Sequence, residues 1–142
     1  MTVEKIKRLK EEFKPHEQVA LKAMTVDEVI SELSKLSQDK YVIIDFGYKG
    51  MFSDFVTDSW RGSYECPAVF ETEEPYTVAE CVKNLSQTNG KEVTGYKGGD
   101  FILSSSYELF TEVEYSSYSS SGIIEVNEKS DYVLVVTRPD LY

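Results

Sequence analysis

Apolar residues recur at helical spacing through the first part of the chain and change to short β-branched and aromatic runs towards its end. In residues 2–13, Val3, Ile6, Leu9 and Phe13 fall on one face with charges elsewhere, which predicts a helix closed by Pro15. Glu and Lys alternate around it, so this helix is expected at the periphery or at a subunit contact. A second helix opens with Thr25 as cap and Glu28 completing a capping box, and Val26, Val29, Ile30, Leu33 and Leu36 share its apolar face. A third opens in the same way at Thr77 and Glu80 and buries Val78, Cys81, Val82 and Leu85.

Residues 41–46 read as a buried strand, followed by a loop over 47–58. Residues 63–72 predict a strand interrupted near Pro67, and Asn89-Gly90 marks a tight turn. Four more strands are expected at 101–103, 108–115, 122–126 and 132–136, with the Ser/Tyr-rich tract 115–121 and residues 127–131 as turns. The expected fold class is α+β, with two or three helices packed on an antiparallel β-meander. Residues 1–142 are expected to form one domain, with 1–15 as a peripheral helix and 25–142 as the core.

One tetrapeptide occurs twice, as Gly47-Tyr48-Lys49-Gly50 and Gly95-Tyr96-Lys97-Gly98, each time after a Thr-capped helix. The shared order suggests a duplicated helix–loop unit. Between the copies lies Asp58-Ser59-Trp60-Arg61-Gly62-Ser63-Tyr64, which holds the only Trp and one of three Arg residues.

Composition narrows the chemistry. The formal net charge of −10 opposes binding to a nucleic acid polymer or an anionic membrane surface. It leaves room for a small anion, because charges beyond roughly 10 Å are screened at ordinary ionic strength. No stretch is apolar enough to span a membrane, and the charged N-terminus has no secretory pattern, so a cytoplasmic location is expected. Cys66 and Cys81 have no metal-ligand spacing, and His16, the sole histidine, reads as a linker residue. No Walker loop, nucleophile elbow or metalloprotease motif is present, so no catalytic residue, metal or cofactor is expected.

Binding chemistry concentrates in two loops. Arg61 offers a planar fork for phosphate or carboxylate oxygens, with Gly62 and Ser63 beside it and Trp60 and Tyr64 as stacking faces. Tyr96, Lys97, Gly98, Gly99 and Phe101 would supply a second cation on a backbone-exposing loop with two more aromatic faces. The structural alternatives are core positions for Trp60 and Tyr64, an ion pair of Arg61 with Asp58 or Asp100, and a plain turn at Gly98-Gly99.

The block from Asp58 to Tyr64, followed by Thr94-Gly95-Tyr96-Lys97-Gly98-Gly99-Asp100-Phe101, resembles a family of small bacteriophage proteins that carry both motifs in this order. The likeness covers about residues 25–126, and Glu65 matches the acidic residue usual after the motif's Tyr. In size and concept the chain also looks like the sponge proteins that phages use against nucleotide-signalling immunity, nearest to the Thoeris anti-defence sponges. That likeness implies a non-enzymatic protein of the infected bacterial cytoplasm that sequesters a small phosphorylated nucleotide, either cyclic or of the cyclic ADP-ribose type. A homodimer or larger homo-oligomer is expected with it. The alternatives are an inhibitor of another protein acting through its acidic surface, and a small nucleotide-processing enzyme.

Overall fold

The structure is a computed structural model and describes residues 22–46, 49–112 and 121–138. The helix expected over 2–13, His16, Gly47, Tyr48 and the Ser/Tyr tract as far as residue 120 lie outside the described residues.

Two α-helices are present among the described residues: α1 (Val26–Ser34) and α2 (Val78–Leu85). Both capping boxes form, with the Thr25 and Thr77 hydroxyls accepting the Glu28 and Glu80 N–H groups and each Glu side chain accepting its cap residue's N–H. The strands are β1 (Tyr41–Asp45), β2 (Gly50–Met51), β3 (Thr57–Trp60), β4 (Ser63–Phe70), β5 (Glu92–Thr94), β6 (Asp100–Ile102), β7 (Phe110–Glu112), β8 (Ser121–Glu128) and β9 (Tyr132–Arg138). Seven of them form one sheet in the order β2-β1-β9-β8-β7-β4-β3, and β5 pairs with β6 apart from it.

The α+β class is therefore present, and the sheet is mixed where an antiparallel meander was expected. Successive strands β7, β8 and β9 do form a meander, but β9 also pairs in parallel with β1, and β4 pairs in parallel with β7. Parallel neighbours need a long crossover. For β4 and β7 the crossover contains α2 and the β5–β6 hairpin. The predicted break at Pro67 is absent, and β4 runs through it with Pro67 opposite Ser59. Pairing to β7 begins only at Ala68, so at Pro67 the strand has a neighbour on one side, where a residue without N–H is tolerated. The loop expected over 47–58 contains β2 and the start of β3.

Both helices pack their apolar stripes on one face of the sheet. Val26, Val29, Leu33, Val78, Cys81 and Leu85 meet Val42, Ile44, Ile123, Val133 and Val135, and all are at most 1% exposed. Each such side chain contributes about 1.5–3 kcal/mol on burial. Burial pushes the Cys81 thiol up to about 12. Alternation along β4 sends Val69 into this core and its neighbour Ala68 into a second cluster with Trp60, Phe110 and Ala23. The sheet curls until its two edge regions touch: Phe52, just after β2, bridges Thr72, just after β4, and the Phe52 carbonyl accepts the Thr72 N–H at 2.8 Å.

Each tetrapeptide copy comes after a helix and a strand in the chain: Gly50, the last residue of the first, opens β2, and residues 95–98 lie between β5 and β6.

Candidate functional site

Two hairpin ends meet on the flank formed by β3, β4, β5 and β6. Arg61 and Gly62 make the two-residue turn between β3 and β4, and residues 95–99 make the turn between β5 and β6. The Arg61 guanidinium lies over the Tyr96 ring, with Cζ 3.8 Å from the ring centroid. The two motif blocks, distant in sequence, thus meet through Arg61 and Tyr96 within a single chain.

The site is held together from beneath. Tyr64 on β4 and Phe101 on β6 pack edge to face with centroids 5.5 Å apart, and both are half-buried. Gly95 fits against this pair: a Cβ there would stand 2.9 Å from Phe101 and 3.0 Å from Tyr64. Gly98 and Gly99 adopt φ of +90° and +87°, and the turn closes as Gly98 N–H donates to the Gly95 carbonyl and Gly95 N–H to the Gly99 carbonyl. At the foot of the hairpin, the Lys91 ammonium donates to the Thr57 carbonyl on β3, and the buried hydroxyls of Thr57 and Thr88 lie 2.7 Å apart.

Trp60 holds a different place from the stacking face expected of it. It is 4% exposed, and its ring stacks on Phe110 with centroids 3.7 Å apart and planes 7° apart. Stacking of two large aromatics inside a buried cluster is core packing, so Trp60 offers no face to a ligand. Gly62 lies directly against it: a Cβ would come within 2.4 Å of the indole.

The cations differ in their surroundings. Among the described residues Arg61 forms no ion pair, so the expected alternatives, Asp58 and Asp100, are not its partners. The Asp58 carboxylate instead accepts the Ser59 N–H. Lys97 is exposed and likewise has no carboxylate partner among the described residues. Lys49, its counterpart in the first tetrapeptide, is bound to Glu71 at 2.9 Å. Ser63 is exposed at the start of β4. Burial raises the nearby Cys66 thiol, and the Ser63 side chain opposes that in part.

One residue of the site had no signal in the sequence. Glu112, the last residue of β7, is 3% exposed, and its Oε1 accepts the Arg61 N–H at 3.0 Å. In the pairing of β4 with β7, Glu112 stands beside Phe70, at the opposite end of β4 from the Arg61 turn in sequence, so nothing local foretells the contact.

An open cleft of about 490 Å³ lies elsewhere, lined by Gly50, Met51, Phe52, Glu71, Thr72 and Glu73. Its size suits a small ligand, but carboxylates at its rim repel an anion and its nearest cation is already paired. Size favours the cleft, while charge and aromatic chemistry favour the Arg61–Tyr96 junction; for an anionic ligand the latter decides. Among the described residues no cluster of three or more His, Cys, Asp and Glu side chains is arranged to hold a metal ion, and no helix is long and apolar enough to cross a membrane.

No protein-family model, curated protein or solved structure matches the chain.

Proposed function

We propose that the protein binds a small phosphorylated nucleotide at the junction of Arg61 and Tyr96 and holds it without cleaving it. The observation that carries this reading is the guanidinium set over an exposed tyrosine with no carboxylate in ion-pairing distance of it among the described residues. A planar fork braced on an aromatic ring keeps its N–H edge for a phosphate. Tyr96 is 68% exposed even with Arg61 on one side, which leaves ring surface for a base. Lys97 in the same turn adds a second charge, while Tyr64 and Phe101 brace the turns and Trp60 packs in the core against Gly62.

In this proposal the ligand is a cyclic or cyclic ADP-ribose-like signal of antiviral immunity, sequestered in the cytoplasm of an infected bacterium. A homo-oligomer remains part of the proposal, although the two turns already meet inside one chain. Binding is preferred to catalysis because the site's groups serve recognition. Burial raises the Cys66 thiol, which leaves it a poorer nucleophile. Mass spectrometry of purified protein, before and after denaturation, tests the reading. Release of an unaltered nucleotide supports sequestration, release of a converted product means an enzyme, and failure to retain any nucleotide from a signal-producing extract removes the proposal.

A further inference from the structure

The large sheet has two faces, and α1 and α2 pack on one of them. Register and alternation place a second set of apolar side chains on the other. Ile43 on β1 stands beside Leu134 on β9, with Val136 two residues further along, and Phe110 on β7 stands beside Ala68 on β4. Leu134 is 4% exposed although it faces away from the helices, and among the described residues it joins neither the helix-side core nor the Trp60 cluster. Ile43, Val136 and Phe70 are half-buried on the same face. An apolar sheet face of this kind is stable only under a covering layer.

Position, reach and charge together say what covers it. Ala23 packs with Trp60, Ala68 and Phe110, so the described chain begins on this face, and residues 1–21 precede it. From β7 across β8 and β9 to β1 is about 14 Å. Residues 14–21 can extend to about 26 Å, and a helix over 2–13 would be about 18 Å long, enough to cross those strands. The face also carries carboxylates: Asp45 two residues on from Ile43, Glu125 beside Val136, and Glu112 beside Phe70. Residues 1–21 hold five Lys or Arg and four Glu, in a chain that is otherwise strongly acidic. We infer that residues 2–13 dock as an amphipathic helix on this second face, with Val3, Ile6, Leu9 and Phe13 against Leu134, Ile43 and Val136, and make the sheet the middle of three layers. Its rivals are the same segment supplied by a second copy, and a face without any cover.

The two cysteines report on the two faces. Cys66 is half-buried against the Trp60 cluster, and Cys81 is fully buried on the helix side. Thiol labelling and Trp60 fluorescence compare the full-length wild type with a Leu9→Asp, Phe13→Asp double variant. Docking predicts that Cys66 reacts about tenfold faster or more in the variant, that Trp60 emission moves to the red, and that Cys81 stays slow. An unchanged Cys66 rate and emission overturn the inference. If both thiols open together the variant has unfolded, and methyl NOEs in the wild type decide: contacts from Leu134 to Ile6 or Leu9 support docking, and their absence ends it. NOEs that pass only between differently labelled copies in a mixed sample assign the cover to a second copy and overturn docking within the chain.

Discussion

At Gly62 the cost of one methyl group is set by what lies beneath it. A Cβ would stand 2.4 Å from the Trp60 ring, and that ring is itself fixed against Phe110. Gly62→Ala therefore has to drive the indole off its stack, and overpacking of this kind costs about 1–3 kcal/mol. Denaturant unfolding should register that loss; an alanine variant as stable as the wild type would mean the indole has room to move. Arg61→Ala tests the opposite kind of residue. Arg61 is half-buried and its guanidinium lies over Tyr96, a contact worth about 0.5–1 kcal/mol at an exposed site. Its stability effect is thus small, while loss of a charge-assisted contact to phosphate, about 1.5–3 kcal/mol, lowers ligand affinity at least about tenfold. Calorimetry of ligand binding beside a thermal melt checks both halves. An Arg61→Ala protein that unfolds, with normal binding in its folded fraction, would make Arg61 a structural residue.

Helix α2 has more to hold than its own length suggests. Its cap residue Thr77 also bridges Tyr41 at the start of β1, and Asn84 near its end donates to the Asp54 carbonyl. Thr77→Ala removes the hydroxyl that accepts the Glu80 N–H and donates to the Glu80 carboxylate, and is expected to lower stability by about 1 kcal/mol. Urea titration of Thr77→Ala against Thr25→Ala, whose cap makes the same box, compares the two sites directly. These caps were legible in the sequence because a capping box is a local contract between residues three apart. Local, too, were the apolar faces of α1 and α2 and the runs that became β1, β8 and β9. The pairings of β1 with β9 and of β4 with β7 were not legible, since they join segments far apart in the chain and no local pattern encodes the partner. Strand β3 was hidden for another reason: Thr57, Asp58 and Ser59 are polar, and an edge strand needs little apolar character. The site was half legible. Glycines, cations and aromatics marked the two turns, whereas the burial of Trp60 against Phe110 and the contact of Glu112 depend on where β7 sits; a strand was expected over 108–115, but not its neighbours.

For the molecule as a whole, charge and site act at different ranges. A net charge of −10 repels an incoming anion at long distance, and Arg61 and Lys97 attract it only once it is close. Added salt should therefore speed association of a nucleotide at first, by screening the repulsion, although electrostatically steered binding normally slows with salt. Stopped-flow measurement between low and near-physiological ionic strength reads this directly. A rate that falls steadily with salt would mean that the local cations dominate the approach path, with the rest of the surface irrelevant.

The contact between Phe52 and Thr72 has a consequence for life in a crowded cell. A sheet that ends in open air offers unpaired N–H and carbonyl groups to any strand that passes, and aggregation begins there. Here one margin, β2, is two residues long and runs straight into the bridge with Thr72. At the other margin, β3, the Thr57 carbonyl is occupied by Lys91. Neither side presents a long template for a stranger's backbone. If the protein works by capture as proposed, one molecule for each molecule held, it has to accumulate to the abundance of its target, and it can do so only if copies tolerate one another at close quarters.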